Sequence, residues 1–594
     1  MTSTNETFPV DAYDSHVAEI LTRHGEIEST RPATVPQMLA RNAALMPNKV
    51  AVLFEGRSWT YAELNGLANR YARWAMAKGY RKGDTLALFM ENRPEFYAAT
   101  YGLGRAGIAI AMINSALTGH GFAHCLAVAE AKGVIVDAAL AGLFQDARPH
   151  LPVDMPAWAT GGAVVGASDL DSELEACSPA YIPVAELPVC TALDTFVHIY
   201  TSGTTGLPKA VPQTHARVFG GAVMWAAMGQ ATHEDRMYLV MPLYHGAAFN
   251  CASGSMFIVG GSIALRRKFS ARAFWADCVE TRSTMFEYIG ELCRYLVNTP
   301  EDPMEKRHSI RCCIGNGLRA DVWPAFKARF RIPRVVEFYG ATEGNVFLWN
   351  FDGTEGAIGR LRPHYKAMSN ARVVRFDIER EEPIRNAAGR CIEVETGEVG
   401  EAIGAISDAN RFDGYTSAEA TRKKILRDVF TPGDAWYRTG DLMRLDAEGY
   451  VYFVDRIGDT FRWKGENVAT GEVAEVMTAV PGVKEANVYG VAVPGADGRC
   501  GMACLTADET LDLAALFAHL TEELPAYARP LFLRLRSEQE LTGTFKHRKV
   551  NLVTDGFDPS KVKDPLYFAH PEKGCYVKLD EALFRDIVAG RHKL

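Results

Sequence analysis

Apolar and polar positions alternate along the chain with two different periods. Short apolar runs such as KVAVLFEG and DTLALFME predict buried strands, and each is followed by a stretch such as YAELNGLANRYARWAMAKGY or PEFYAATYGLGRAG, which predicts an amphipathic helix. Strands that alternate with such helices are typical of mostly parallel sheets packed against helices. Because the pattern begins near residue 31 and recurs after residue 200, we expect two doubly wound α/β layers.

The later part of the chain has a different pattern. Between residues 368 and 408 the strands are short and separated by glycine and asparagine turns, which predicts a small antiparallel β-barrel. A composition break near residue 455 precedes a compact α+β succession of helices and strands. We therefore predict an α/β protein with a polar lead-in over residues 1–30, a large N-terminal domain over 31–455, a hinge over 456–459 and a smaller, mobile α+β domain over 460–594.

One uncharged stretch has the length of a membrane span. No Asp, Glu, Lys or Arg lies between Arg236 and Arg266. Proline, histidine, asparagine and a glycine pair interrupt this stretch, so we interpret it as a buried strand, a helix over residues 246–261 and a second strand. The first residues lack the basic and apolar regions of a signal peptide. We expect a cytoplasmic protein and leave open its peripheral attachment to the inner face of the membrane.

Composition and charge exclude several classes of function. The 64 basic and 72 acidic residues give a net charge of −8, which provides no electrostatic surface for a nucleic-acid-binding protein. The 12 cysteines have neither paired CxxC nor zinc-ligand spacing, so we interpret them as buried thiols in a reducing compartment. An anionic substrate must therefore be held by local groups.

The segment YTSGTTGLPK at residues 200–209 carries the most specific chemistry. Gly203 and Gly206 let backbone N–H groups approach an anion, and Lys209 adds a positive charge. Hydroxyl donors surround these glycines at Thr201, Ser202, Thr204 and Thr205. The segment is not a Walker A loop, because Pro208 stands where that motif needs its second glycine. We predict a loop that binds a polyphosphate.

This loop and the motifs that follow it resemble the adenylate-forming superfamily, which includes acyl-CoA synthetases, luciferases and the adenylation domains of peptide synthetases. The resemblance runs from about residue 35 to residue 590, with its motifs in the order of that family. It implies an AMP-binding and acyl-binding N-terminal domain. The nucleotide-binding residues that it implies are Thr201, Ser202, Gly203, Thr204, Thr205, Gly206, Lys209, Gly315, Asn316, Gly317, Tyr339, Gly340, Ala341, Asp441 and Arg456.

The resemblance gives a role to residues in three of these motifs. In GNGLR at residues 315–319, it implies a strand and turn against the adenine. In YGATE at 339–343, it implies that Tyr339 stacks on the base, Thr342 bonds the α-phosphate and Glu343 holds Mg²⁺, with Thr201 as a further metal-site residue. In WYRTGD at 436–441, it implies that Asp441 accepts both ribose hydroxyls.

The C-terminal domain of this family moves between two half-reactions. The resemblance places the mobile catalytic lysine at Lys546, although Lys549 is a nearby competitor. After adenylation, a rotation would bring the loop of Lys464, Gly465, Glu466 and Asn467 beside the pantetheine tunnel. Many relatives have an acidic residue two positions after the hinge arginine. This chain has Gly458 there, followed by Asp459, so the pivot is left open between the two.

These parts imply an ATP- and Mg²⁺-dependent ligase that uses coenzyme A as co-substrate. A carboxylate attacks the α-phosphorus of ATP and expels pyrophosphate, and the acyl-AMP then transfers its acyl group to a thiol. Negative charge develops near one phosphate in both steps, where cations and oriented amides contribute most. We assign catalytic roles to Lys546, Thr342 and His245.

The choice of carboxylic acid depends on the residues around the helix FGGAVMWAAM. This apolar stretch, relieved by glycine and alanine, suits the wall of an acyl channel as well as it suits an ordinary core helix. Peptide-synthetase adenylation domains place an aspartate near residues 241–250, and this chain has no acid there. The segments GNGLRADVW, RWKGENVA, VYGVAVPGADGRCGMA, TGTFKHRK and DPLYF resemble the very-long-chain acyl-CoA synthetase and fatty-acid-transport-protein branch. We assign the acyl channel to Met224, Trp225, Met228 and Phe249.

We therefore predict a ligase that joins long to very long fatty acids to coenzyme A. The alternatives are a ligase for sterol or bile-acid side chains, for carnitine-like acids or for aryl acids. A membrane-associated fatty-acid uptake protein with secondary ligase activity is a further alternative, as is transfer of the adenylate to a carrier protein. The expected partners are fatty acid, ATP and CoA, without nucleic acid, and a homodimer is left open.

Overall fold

A computed structural model describes residue 19 and residues 34–201, 208–361, 369–378, 380–408, 410–464, 466–494, 496, 498–539, 549–571 and 573–592. The chain divides into two compact units. The first consists of Met1–Glu355 and Arg411–Lys424, and the second of Gly356–Asn410 and Ile425–Leu594. Each unit is therefore built from more than one stretch of the chain.

The first unit contains an eight-stranded sheet. Its strands lie in the spatial order Phe347–Asn350, Arg334–Gly340, Cys312–Asn316, Met285–Ile289, Arg236–Leu239, Ser262–Leu265, Val50–Phe54 and Arg57–Thr60. The inner pairs are parallel, and the strand at each edge is antiparallel to its neighbour. The carboxyl ends of the parallel strands thus meet along one edge, where ligands bind in α/β folds.

The first unit also contains a seven-stranded sheet. Its strands lie in the order Ser168–Asp169, Ala157–Thr160, Ala131–Asp137, Thr85–Phe89, Ala109–Met112, Thr195–Thr201 and Lys209–Thr214. All pairs are parallel except the last two strands, which form an antiparallel hairpin. Phe89 packs edge-on against Phe122 and Phe196 against Tyr101, so helices cover this sheet with aromatic side chains.

Helices separate most of these strands, as the sequence pattern predicts. The α-helices are Pro36–Leu45, Tyr61–Ala77, Pro94–Arg105, Gly119–Val128, Ala141–Ala147, Leu170–Glu175, His215–Met228, Gly254–Val259, Phe274–Glu280, Gly290–Asn298, Trp323–Phe330 and Ala418–Lys423. Short 3₁₀ turns lie at Ala138–Leu140, Arg148–His150, Val184–Glu186 and Pro303–Lys306. Local sequence fixes several boundaries: Thr60 and Glu63 form a reciprocal capping box at the start of one long helix.

The helix expected over residues 246–261 is divided in two. Ala247–Ser253 forms a π-helix, and Gly254–Val259 continues as an α-helix that ends at Gly260 in the left-handed conformation. A π-helical turn contains one more residue than an α-helical turn, which changes the direction of the side chains that follow it. The Ser253 hydroxyl donates to the Ala248 carbonyl at 2.7 Å and supports this turn.

The second unit begins with an antiparallel sheet of seven strands. Six lie in the order Ala357–Arg360, Tyr450–Arg456, Ala435–Leu445, Val399–Ala405, Ala371–Asp377 and Glu382–Pro383, and Ile425–Arg427 pairs with Ala435–Leu445. The short strands and glycine turns around residues 368–408 thus belong to an antiparallel sheet, as expected from their pattern, while the predicted closure into a barrel stays a prediction.

The rest of the second unit is an α+β fold. Its five-stranded sheet has the order Val483–Val491, Cys500–Ala507, Phe532–Arg536, Leu566–His570 and Cys575–Lys578. A hairpin of Phe461–Trp463 and Glu466–Val468 shares its hydrophobic core. The helices are Thr470–Thr478, Leu513–Glu523, Val550–Asp555 and Glu581–Val588.

The predicted fold class is confirmed by this architecture. The first unit contains two α/β layers, and the second contains an antiparallel sheet and an α+β region. The predicted boundary at residue 455 and the hinge over 456–459 stay predictions. All twelve cysteines lie in the described part of the chain and are unpaired. Among the described residues, no helix is both long enough and apolar enough to cross a bilayer.

Candidate active site

The predicted phosphate loop is carried by the antiparallel hairpin at the edge of the seven-stranded sheet. Thr201 and Lys209 are paired residues on its two strands, so the loop between them starts and ends at the same level. A ring nitrogen of His124 lies 2.9 Å from the Pro208 carbonyl, at the exit of the loop. The predicted ligands Ser202, Gly203, Thr204, Thr205 and Gly206 lie outside the described residues, and their roles stay predictions.

The Glu343 carboxylate is oriented by a tyrosine that is distant in sequence. The Tyr415 hydroxyl donates to Glu343 Oε1 at 2.8 Å. Lys209 Nζ lies 5.3 Å from the centre of the Tyr415 ring, a cation–π contact. Burial and the neighbouring carboxylate raise the pKa of Tyr415, so this hydroxyl remains a donor. Lys209, Tyr415 and Glu343 thus form one continuous group at the end of the phosphate loop.

The backbone of the YGATE segment is held by two side chains from a neighbouring strand and helix. The Arg217 guanidinium donates to the carbonyls of Ala341, Thr342 and Gly344. The Gln213 amide donates to the Thr342 carbonyl at 3.0 Å, and its oxygen accepts from Arg217 Nε at 3.0 Å. We call Gln213 and Arg217 the carbonyl clamp. It fixes the segment that carries Thr342 and Glu343.

The turn after Asn316 is held by a buried carboxyl group. Glu337 Oε1 accepts the backbone N–H groups of Gly317 and Leu318, and Oε2 accepts the Tyr288 hydroxyl at 2.6 Å. Burial raises the pKa of Glu337 to about 8. Gly317 has φ +80°, a conformation that favours glycine. Glu337 thereby positions the turn that is predicted to line the adenine.

Close packing explains another glycine of this motif. A Cβ on Gly315 would lie 2.0 Å from the Tyr288 carbonyl oxygen, so no larger residue fits there. Tyr339 and Gly340 lie at the end of strand Arg334–Gly340, paired with Leu348 and Phe347 of the antiparallel edge strand. The structure thus brings the predicted adenine residues to the carboxyl ends of adjacent strands.

His245 and Phe249 lie at the start of the π-helix. The Phe249 N–H donates to the His245 carbonyl at 3.0 Å, and the His245 ring lies 4.4 Å from the Tyr244 ring. Phe249 is 1% exposed and its ring contacts those of Phe96, Tyr97, Tyr101 and Phe196. Its predicted place in the acyl channel stays a prediction, and the structure places its ring in an aromatic cluster.

The helix His215–Met228 carries the other predicted channel residues. Trp225 and Met228 are buried and Met224 is half-buried, and the Trp225 ring packs edge-on against Phe338 at 5.2 Å. A Cβ on Gly221 would lie 3.3 Å from the Cys251 sulfur, so this turn of the helix approaches the π-helix closely. The missing side chain at Gly221 thus permits a close contact between this helix and the π-helix.

The ribose motif lies on two adjacent strands of the second unit. Asp441 and Arg456 are paired across Ala435–Leu445 and Tyr450–Arg456, and Arg456 Nε lies 3.3 Å from Asp441 Oδ1. Arg456 is 57% exposed on its side chain, whereas Asp441 is 8% exposed. Arg456 thus pairs with Asp441 while more than half of its side chain is exposed.

The predicted hinge is linked to the competitor lysine. Gly458 has φ +99°, which a side chain would disfavour. Lys549 Nζ donates to Asp459 at 3.1 Å and to the Thr470 hydroxyl at 3.0 Å. Asp455 accepts the Thr470 N–H at 2.6 Å. Lys549 therefore anchors the hinge segment. Lys546 lies outside the described residues, and its catalytic role stays a prediction.

The predicted thioester loop is the turn of the hairpin that follows the hinge. Trp463 pairs with Glu466, and Lys464 has φ +53° within the turn. Lys464 and Glu466 are exposed, while Trp463 is 3% exposed in the core below them. Gly465 lies outside the described residues. The hairpin is thus anchored in the core by Trp463, and its polar turn lies at the surface of the second unit.

Several residues of the site escape prediction from the sequence. Tyr415 lies in RFDGYTS, which has no motif of its own, and its segment belongs to the first unit although the chain on both sides belongs to the second. Gln213 lies at the end of a strand and Arg217 in the helix that follows it, so no single sequence period links them as a pair. Glu337 stands two residues before Tyr339 inside a strand that reads as core.

Comparison with known families identifies the family of the chain. A family model described as AMP-binding enzyme matches residues 39–399, and one described as AMP-binding enzyme C-terminal domain matches residues 472–546. The second match ends at Lys546. The fold and the family matches thus define an adenylate-forming enzyme, and the chain belongs to the AMP-binding enzyme family. The resemblance carried by the sequence motifs is confirmed.

The relatives are more specific than the family models. The chain is 40% identical to long-chain fatty acid transport protein 6 of Mus musculus, over 94% of this chain and 91% of the relative. It is also 40% identical to long-chain fatty acid transport protein 2 of Rattus norvegicus, over 94% of this chain and 92% of the relative. The chain therefore spans nearly the whole length of these relatives.

Solved structures share the fold. ATP-bound MatB from Rhodopseudomonas palustris is 25% identical with a TM-score of 0.73, covering 87% of this chain and 98% of that chain. A Mycobacterium tuberculosis fatty acyl CoA synthetase is 26% identical with a TM-score of 0.62, covering 88% of this chain and 98% of that chain. The likeness extends over both units.

Proposed function

We propose that this protein is an ATP- and Mg²⁺-dependent ligase that joins long to very long fatty acids to coenzyme A. In the first half-reaction a fatty-acid carboxylate oxygen bonds to the α-phosphorus of ATP, and the bond to pyrophosphate breaks. In the second, the thiol of CoA attacks the carbonyl of the acyl-AMP, releasing AMP and a proton. The names of the relatives and of the fatty acyl CoA synthetase neighbour support this choice of acid.

One observation carries the proposal more than any other. The group of Lys209, Tyr415 and Glu343 places a cation and an oriented carboxylate at the end of a loop rich in hydroxyl and N–H donors. A nucleoside triphosphate needs cations and donors at its phosphates. The carbonyl clamp holds the backbone beside Glu343, so the position of this carboxylate is set before substrate binds.

The residues present fit a magnesium ion. Glu343 offers one carboxylate whose orientation is set by Tyr415, and Thr201 offers a hydroxyl at the start of the loop. Within the described ranges there is no cluster of three or more potential metal ligands from His, Cys, Asp and Glu. That agrees with Mg²⁺, which binds through one or two carboxylates plus substrate phosphates and water. When bound, the ion would offset phosphate charge.

The chain's own residues would act in sequence. Thr342 would donate to the α-phosphate, Tyr339 would stack on the base, and Asp441 would accept the ribose hydroxyls. Lys546 would neutralise charge shared by the attacking carboxylate and the α-phosphate, with His245 close to the acyl group. The turn of Lys464, Gly465 and Glu466 would serve thioester formation after a rotation about Gly458 or Asp459.

The acyl chain would lie against helix His215–Met228. Met224, Trp225, Met228 and Phe249 offer apolar surface, and Gly221 lets this helix approach Cys251 closely. We retain a cytoplasmic location, peripheral membrane attachment and a homodimer as hypotheses, which cell fractionation and light scattering would test.

A panel of carboxylic acids tests the proposed function directly. Acids from acetate to very long chains, together with sterol, carnitine-like and aryl acids, are incubated with ATP and Mg²⁺, and AMP and pyrophosphate are measured with and without CoA. We expect pyrophosphate with long chains in both conditions, and AMP with acyl-CoA only when CoA is present. Activity confined to short or aryl acids, or AMP release that does not depend on CoA, would contradict the proposal.

A further inference from the structure

The eight-stranded sheet contains a buried acid that the proposed reaction does not use. Glu287, in the strand Met285–Ile289, is 1% exposed. Its Oε2 atom is fully buried and has no hydrogen-bond partner in the described part of the chain. An unsatisfied buried polar group costs free energy, so a protein has reason to keep one only where something else satisfies it.

The side chain of Glu287 faces the predicted acyl channel. Side chains alternate along a strand, and Tyr288 points to the side where its hydroxyl meets Glu337. Met285, on the same face as Glu287, meets the end of helix His215–Met228, because its methyl carbon lies 2.4 Å from where a Cβ on Gly229 would be. Glu287 is therefore directed into the layer between the sheet and that helix.

The groups around Glu287 are those of the channel wall. Burial first, and the nearby Glu287 carboxyl to a smaller extent, raise the pKa of the Cys251 thiol, the same sulfur that lies 3.3 Å from a Cβ built on Gly221. Burial first and Glu287 to a smaller extent also raise the pKa of Tyr97, whose ring stacks on Phe249. The side-chain oxygen of Asn250, the residue between Phe249 and Cys251, is also buried and also has no hydrogen-bond partner among the described residues. Two unsatisfied polar side chains thus belong to an otherwise apolar region.

We propose that Glu287 is a specificity-determining residue that reads a neutral hydrogen-bonding group, a hydroxyl or an oxo group, on the acyl chain. This inference rests on the proposed function, since it assigns a finer substrate class to the same channel. A plain chain leaves Glu287 as unpaired as it is in the free protein, so plain acids remain substrates. An acid whose polar group reaches Glu287 gains a hydrogen bond in a dry site.

The neutral form of the carboxyl group suits this task. Burial in apolar surroundings disfavours a charged carboxylate, and a protonated carboxyl both donates and accepts. A cationic amino group would instead require the ionised form. Glu287 would therefore bind uncharged oxygen groups, and amino acids would not be the preferred substrates.

Matched pairs of acids test the inference. Acids of one length, unsubstituted or with one hydroxyl at successive positions, are compared by kcat/KM for acyl-CoA formation. We expect at least one hydroxy acid to be preferred by about tenfold. Glu287→Leu and Glu287→Met should abolish this preference, whereas Glu287→Gln should retain part of it. Met285→Leu changes an apolar residue on the same face of the same strand and should leave the preference intact.

Two outcomes would overturn the inference. One is a wild-type enzyme that treats every hydroxy acid like its plain counterpart, or prefers an amino-substituted acid. The other is a preference that survives in both apolar variants. If no acid is converted at all, the proposed function fails separately. In that case thermal stabilisation by the bound acids tests the inference. A hydroxy acid should stabilise the wild type more than the plain acid does, and this difference should be lost in Glu287→Met.

Discussion

At the scale of single residues, the Tyr415 hydroxyl on Glu343 gives the first prediction. Tyr415→Phe keeps the ring beside Lys209 but removes the donor that orients the carboxylate. A hydrogen bond to a charged group is worth about 1.5–3 kcal/mol, so we expect kcat/KM for adenylation to fall by about tenfold to a hundredfold. Pyrophosphate release measured across Mg²⁺ concentrations should also show a higher half-saturating concentration.

A second tyrosine provides the control for this change. Tyr452 also donates to a carboxylate, that of Asp446 at 3.1 Å, in the antiparallel sheet of the second unit. Tyr452→Phe should leave adenylation and its Mg²⁺ dependence unchanged. If Tyr415→Phe behaved like Tyr452→Phe, Glu343 would not depend on the tyrosine for its orientation.

The buried carboxyl of Glu287 predicts how stability changes with pH. Burial raises its pKa to about 8, from an ordinary value of 4.5. Between these values the unfolded chain is ionised while the folded protein keeps the proton, so stability falls as pH rises. The slope for this group reaches about 1.4 kcal/mol per pH unit. Calorimetry between about pH 5.5 and pH 8 should show a steeper loss of thermal midpoint for wild type than for Glu287→Gln.

If the thermal midpoints of wild type and Glu287→Gln fell equally over this range, Glu287 would be ionised in the folded protein. Glu337, whose pKa is also raised to about 8, contributes a similar slope to both proteins and cancels in the comparison. The difference between the variants therefore isolates Glu287.

Residues of the site differ in how well sequence alone could find them. Asp441 and Arg456 were predicted for one ligand, and the structure pairs them on adjacent strands. Glu343 was predicted from its motif, but Tyr415 was not, because the contact joins residues with no common pattern along the chain. In the sequence, Glu287 is one polar residue in an otherwise apolar strand, and only the structure shows that its Oε2 atom is buried without a partner among the described residues.

At the scale of elements, the carbonyl clamp joins a strand and a helix to the YGATE segment. Arg217→Met removes donors to three carbonyls, which frees the backbone that carries Thr342 and Glu343. A displacement of about 1 Å at a reacting group can cost about a hundredfold in rate. We expect a loss of that order in adenylation, measured by pyrophosphate release with saturating acid.

Two further variants separate positioning from charge. Arg217→Lys keeps the charge but cannot span three carbonyls, so it should rescue little of the loss. Arg70 donates to the carbonyls of Leu174 and Glu175, and Arg70→Met serves as the matched control with normal activity expected. Full rescue by Arg217→Lys would show that charge, not geometry, is what Arg217 supplies.

Elements were the level at which sequence patterns worked best. Strands and helices such as Val50–Phe54 and Tyr61–Ala77 fall where apolar period and capping residues predict them. The π-helix Ala247–Ser253 was read as part of one regular helix, because its extra residue changes hydrogen bonding without changing composition. Pattern fixes the kind of element, while the register inside it depends on tertiary contacts.

At the scale of the whole molecule, the two half-reactions should separate by mutation. Lys546→Ala should lose ATP-driven activity yet still convert supplied acyl-AMP and CoA to acyl-CoA, if rotation of the C-terminal domain removes this lysine after adenylation. Gly465→Leu should leave acyl-AMP formation running and block its use by CoA. Quenched-flow measurement of pyrophosphate and of thioester reports the two steps independently.

Lys549→Met is the control for the lysine prediction. Lys549 is bound to Asp459 and Thr470, so its loss should disturb the hinge without removing the charge needed at the α-phosphate. Adenylation should therefore persist in Lys549→Met. A Lys546→Ala enzyme that adenylates normally, beside a Lys549→Met enzyme that does not, would transfer the catalytic role to Lys549.

The order of synthesis gives the interleaved first unit a kinetic consequence. Glu343 leaves the ribosome 72 residues before Tyr415, the side chain that orients it. At about 5–20 residues per second, roughly 4–14 seconds pass between them. Gly356–Asn410, which belongs to the second unit, must be synthesised before Arg411–Lys424 is available to join the first unit. The nascent protein therefore waits with an unfinished phosphate site, and premature termination before residue 415 would release a first unit that cannot complete it.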